Sequence, residues 1–157
     1  MKEYPYRKMN EMREILEVLQ MPSKLKNTRT ILTLLAVARV KEKSKWSQVE
    51  ESYARTHDMI VFMNEYYPNK GGTDLKRGGY SENSRETIRD DSVSPLCSMA
   101  VMEHNGAKSQ SEKSSYRLTK EFATLLRAYG TENWEEELCY YCETCLLYTS
   151  DAADEAR

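Results

Sequence analysis

NSRETIRDDSVSP, residues 83–95, is the stretch that decides the fold. Asn83 and Ser84 are helix-capping residue types, because their short side-chain oxygens accept from the free amides of a first turn. Glu86 sits where a capping carboxylate reaches back. The helix they open is predicted to run to about residue 94, where Pro95 ends or kinks it. Its apolar stripe is thin: Ile88, Val93 and Leu96. Arg85 and Arg89 are four apart and share one face. A short helix with little apolar surface and two stacked arginines is exposed for some reason.

Upstream, residues 7–20 repeat Met9, Met12, Leu16 and Leu19 at helical spacing, and Pro22 ends that helix. Asn27 or Thr28 caps a second helix over 28–40, apolar on several faces and therefore central to the core. Lys41–Lys45 is a charged connector. Ser47–Gln48–Val49–Glu50 has the form of a capping box opening a short helix near Val49 and Tyr53. Thr56 caps the next helix, 57–67, which Pro68 stops. PNKGGTDLKRGGYSE, residues 68–82, holds four of the six glycines and is a loop. It contains neither phosphate-binding glycine pattern.

Downstream, Met99–Met102 and Ser115–Leu118 are candidate strands, with an Asn105–Gly106 turn and a polar stretch carrying Lys108 and Lys113 between them. Thr119 caps a helix whose stripe is Phe122, Leu125, Leu126 and Tyr129, closed by Gly130. Thr131 caps a last one built on Trp134, Leu138 and Tyr141. Helices, an exposed polar helix, a hairpin and two more helices make a mainly α chain with the skeleton of a winged helix-turn-helix, the hairpin being the wing. In that architecture the exposed helix enters the major groove and the wing lies beside the phosphates.

NSRETIR (83–89) resembles the "N-x-R-E-T-I-R" core of the N-terminal helix-turn-helix domain of the BsuBI/PstI restriction endonuclease family. Asn27–Thr28–Arg29, Ser114–Leu118, Tyr129–Thr131 and Trp134–Glu136 are similar to further segments of that domain, in the same order and spacing, over roughly residues 10–143. The resemblance implies a type II restriction endonuclease, a Mg²⁺-dependent phosphodiesterase that cuts double-stranded DNA at a short palindrome and pairs as a homodimer at full length. It implies DNA contacts from Arg85 and Arg89, with Asn83, Ser84 and Thr87 as neighbouring donors. Arginine bridges guanine O6 and N7, and hydroxyls and amides at a helix start hold phosphates. Lys108 and Lys113 would meet phosphate from the wing. Asp90, Asp91 and Pro95 depart from the family pattern. Aspartates beside a phosphate backbone repel it, which confines contact to the helix's first turn.

The carboxylates and lysine that would hold Mg²⁺ for cleavage have no counterpart here beyond Asp74–Leu75–Lys76, a chance match in the glycine-rich loop. The expectation is an N-terminal DNA-binding fragment, inactive alone, that itself holds no cofactor, metal or catalytic residue. CLLYTSDAADE (145–155) resembles the translation of a sequencing-library adapter. Residues 1–144 are therefore read as the domain, and 145–157 as a non-native, disordered tail. Cys139, Cys142 and Cys145 spell CxxCxxC, but the last falls in that tail and no second pair stands upstream, so Cys139 and Cys142 are read as two free thiols on a helix.

Composition sets the outer limits. The 157 residues carry 23 Lys+Arg against 25 Asp+Glu, 39% apolar and 31% charged. Such a chain is too apolar to be disordered throughout, and no run approaches a membrane span. MKEYPYRKMNEMRE has no signal-peptide core, which makes the cytoplasm the default compartment. Charge runs along a gradient: 11 basic and 5 acidic side chains in residues 1–45, 6 and 9 in 46–102, 6 and 11 in 103–157. Two other functions suit the scaffold, a stand-alone winged-helix transcriptional regulator and a docking module that never touches DNA. Salt-dependent DNA affinity separates the last from the others.

Overall fold

The computed structural model describes residues 3–73, 78–108 and 112–146. At its centre is α2, Thr28–Ala38, buried at every position from Thr30 to Ala38. Asn27 caps it, its Oδ1 accepting from the Thr30 amide at 2.8 Å. α1, Arg7–Val18, lays Met9, Met12 and Leu16 of the predicted stripe against it, joined by Ile15, while the predicted Leu19 is buried just past the helix end. Full burial of each such side chain contributes about 1.5–3 kcal/mol. No side chain at the start of α1 caps it. The Glu42 carboxylate does so from the far side of α2, accepting from the Arg7 and Lys8 amides at 2.7 and 2.9 Å.

After α2 the chain makes one 3₁₀ turn, Trp46–Gln48, and then runs extended to Ala54. The helix expected near Val49 and Tyr53 does not form, because these backbone groups are bonded elsewhere: Glu50 N–H donates to Ala38 O, and Ala54 exchanges two bonds with Tyr116. α3 is Thr56–Tyr66. Thr56 lies inside it and is not the cap. The Asp58 carboxylate reaches back to the Arg55 amide at 3.0 Å instead.

α4 follows as a composite rod: α-helical Arg85–Ile88, π-helical Arg89–Val93 and α-helical Ser94–Ser98. Pro95 does not end it. In a regular helix the proline ring strikes the carbonyl four residues back, here that of Asp91. The π-helical turn just ahead, with Ser94 N–H donating to Arg89 O, widens the ladder at that point. Ile88, Ser92, Val93 and Leu96 are thereby all buried.

β1 is Met102–His104 and β2 is Tyr116–Leu118, antiparallel with Glu103 opposite Arg117. The first strand lies later than the expected 99–102, since Met99 and Val101 donate back to Pro95 and Leu96 and close α4. Ala54 adds a one-residue third strand beside β2. α2, Ala54, α3, α4, β1, the wing loop and β2 therefore form a winged helix-turn-helix.

α5, Lys120–Arg127, is capped by Thr119 as predicted. α6, Trp134–Tyr141, begins at the Asn133 cap, not at Thr131, whose hydroxyl donates to Ala128 O and accepts from the Asn133 amide at 3.2 Å, one residue ahead of the helix. It continues through a π-helical turn, Cys142–Leu146. Cys145 and Leu146 thus belong to the last helical turn and not to a disordered tail, and Cys145 packs on the core. The remainder of the expected tail, 147–157, and the Asp74–Lys76 match lie outside the described residues. Among the described residues no helix is long and apolar enough to cross a membrane.

Candidate nucleic-acid interface

The exposed surface of α4 begins with a 3₁₀ turn, Glu82–Ser84, that carries Asn83 exposed and Ser84 half-buried. Neither side chain caps the helix. Arg85 and Thr87 stand exposed on the first turn. The Arg89 amide donates to Arg85 O, so the two arginines stack as the spacing predicts. Their surroundings differ: the Arg85 side chain is 58% exposed and that of Arg89 30%.

Each arginine is held by a carboxylate. Arg85 Nε lies 3.3 Å from Glu82 Oε2, and the other oxygen of Glu82 lies 2.7 Å from His57 Nδ1 on the first turn of α3. Arg89 Nε donates to Asp90 Oδ1 at 3.0 Å, a bond that raises its already high pKa. Such exposed pairs contribute little stability, yet they fix where the guanidinium groups point. The Glu82 bridge between α3 and α4 joins elements that the sequence keeps 25 residues apart, and periodicity alone carries no sign of it.

Ser92, on the inner side of α4, is fully buried. Its hydroxyl lies 2.9 Å from Thr30 Oγ1 and accepts from Arg29 Nε at 3.0 Å. This three-residue link sets α4 against the first turn of α2. In the sequence Arg29 marks only the start of that helix, so its attachment to α4 is a feature that sequence reasoning misses.

The wing is built on Asn105. Its Oδ1 accepts from the Ala107 amide at 3.1 Å and its Nδ2 donates to Lys113 O at 2.6 Å, which closes the loop across its base. His104 supports it from within, Nδ1 accepting from Gly106 N–H at 3.2 Å and Nε2 lying 2.7 Å from Ser114 Oγ. Lys108 and Lys113 are exposed on the loop. The seven candidates stand in two groups, five at the start of α4 and two on the wing loop.

The Mg²⁺ that the family resemblance implies has no matching donor set, since no group of three or more His, Cys, Asp or Glu among the described residues is placed to hold a metal ion. No hydrolytic step is assigned to these residues.

A family model described as the BsuBI/PstI restriction endonuclease HTH domain matches residues 6–145. The type II restriction enzyme BsuBI of Bacillus subtilis is 27% identical over 132 residues, 82% of this chain and 39% of its own length. The solved structure of SdaI restriction endonuclease aligns over 99% of this chain and 48% of that one, with TM-score 0.76 and 19% identity, a likeness of fold. The chain thus spans between two-fifths and half of the length of these proteins.

Proposed function

The chain belongs to the BsuBI/PstI restriction endonuclease HTH domain family, and from that premise we propose that it binds double-stranded DNA as the recognition part of a type II restriction endonuclease. Cleavage, with its Mg²⁺, is assigned to a part of such an enzyme beyond the residues described. Asn83, Ser84, Arg85 and Thr87 would enter the major groove, with Arg89 behind them, while Lys108 and Lys113 would meet phosphate. The observation that carries this reading is the exposed first turn of α4 standing in a complete winged helix-turn-helix, its inner side locked to α2.

Fluorescence anisotropy of the full chain with short duplexes, across a salt series, tests it. The expected result is affinity that falls as salt rises, and a drop of tenfold or more for Arg85→Ala/Arg89→Ala at about 100 mM salt, in line with ~1–3 kcal/mol for each good base contact. Negligible, salt-independent binding by a folded chain would overturn the reading in favour of a docking module.

A further inference from the structure

The charge on α4 poses a problem for any helix that must approach a polyanion. Residues 82–91 hold Arg85 and Arg89 against Glu82, Glu86, Asp90 and Asp91, two positive charges and four negative. Both arginines are already engaged by carboxylates. Attraction to the DNA backbone needs positive charge elsewhere on the same side, and affinity for DNA comes largely from phosphate contacts.

We propose that Lys24, Lys26 and Arg29 at the start of α2, together with Lys70, form a second DNA-backbone contact beside α4; this rests on the DNA-binding reading above. Among the described residues none of these four cations is in an ion pair with a carboxylate. Every arginine of α4 and β2, by contrast, has such a partner.

Arg29 ties the patch to α4 directly. Arg29 spends one donor, Nε, on the buried Ser92 hydroxyl, and among the described residues no hydrogen bond engages its terminal amino groups. Tyr80, just ahead of α4, links the rest. Lys70 Nζ stands 4.9 Å from the centroid of its ring. Lys24 and Lys26 flank Leu25, whose burial anchors a 3₁₀ turn, Ser23–Leu25, just ahead of the α2 cap. An arginine held at its root by a fixed hydroxyl presents a fork to phosphate at small entropic cost, and lysines around it add charge without sequence preference.

The test is the salt dependence of the full chain on duplexes of unrelated sequence, for wild type, Lys24→Gln/Lys26→Gln/Lys70→Gln and Arg29→Gln. Each lost phosphate contact lowers the slope of log K against log salt by about 0.9. The triple variant is expected to lose about two to three from that slope and tenfold or more in affinity at about 100 mM salt, equally for every sequence. The triple variant removes no structural hydrogen bond, so it keeps the test decisive even if Arg29→Gln fails to fold. Wild-type slope and affinity in the triple variant, alongside clear binding by wild type, would overturn this inference and leave the DNA-binding reading standing. No binding by wild type to any duplex would overturn both.

Discussion

Two buried hydroxyls show how differently the same chemical group stands in this fold. Ser92 has no exposure and two partners, Thr30 and Arg29. Tyr141 is 2% exposed, packs edge-on to Phe122, and its hydroxyl has no partner among the described residues. Burial pushes that hydroxyl's pKa far up, so it stays neutral. Removing a satisfied group strands its partners, whereas removing an unsatisfied one relieves a desolvation cost. Ser92→Ala is therefore expected to lose about 1–3 kcal/mol in urea unfolding. Tyr141→Phe should be neutral, or gain up to about 1 kcal/mol, in the same measurement.

At the level of elements, two turns with the same backbone geometry carry different loads. Gly71 and Gly130 both have positive φ, +73° and +77°, which glycine adopts without penalty. A Cβ at Gly71 would collide with the thioether of Met9, which is fully buried in α1, while one at Gly130 meets nothing within 4 Å. Gly130→Ala is expected to cost about 1 kcal/mol for its backbone alone. Gly71→Ala should cost more, about 2–3 kcal/mol, since the buried Met9 thioether must also find a new place in the core. Urea midpoints of the two variants check the order.

Elements whose cause is local were legible in the sequence. The stripes of α1, α2 and α5 follow from spacing, and Asn27 and Thr119 cap as their side-chain chemistry dictates. Thr56 misled because the Asp58 carboxylate, three residues beyond the cap, accepts from the Arg55 amide, and Thr131 because its hydroxyl takes the Asn133 amide one residue before the helix begins. The π-helical turn before Pro95 leaves no trace in so thin an apolar stripe. The Ala54 strand is a single residue whose only signal is its partner, 62 positions away. The site divides the same way: the exposure of Arg85 and the stacking of Arg89 are local, but the Glu82 bridge to His57 and the Arg29–Ser92 link exist only once α2, α3 and α4 are packed together.

For the whole molecule, α2 is the axis on which the other layers depend. Its residues from Thr30 to Ala38 are buried on all sides, so their amides open to solvent only when the domain unfolds as a unit. Hydrogen exchange is expected to be slowest across residues 31–38, with a protection free energy equal to that of global unfolding. α6, which exposes Cys139 and Tyr140 and forms an edge of the fold, should exchange through local fraying at lower cost. Equal protection in the two segments would contradict this ordering.

The bridge at Ala54 has a consequence for how the wing and α4 are joined. It fastens the return strand of the wing to the residue two before α3, and the first turn of α3 is linked in turn to the turn ahead of α4 through His57 and Glu82. The first joint is a pair of backbone bonds at buried residues and the second a single exposed side-chain contact. The wing side of this coupling is therefore the stiffer one, and loosening begins where Glu82 meets water.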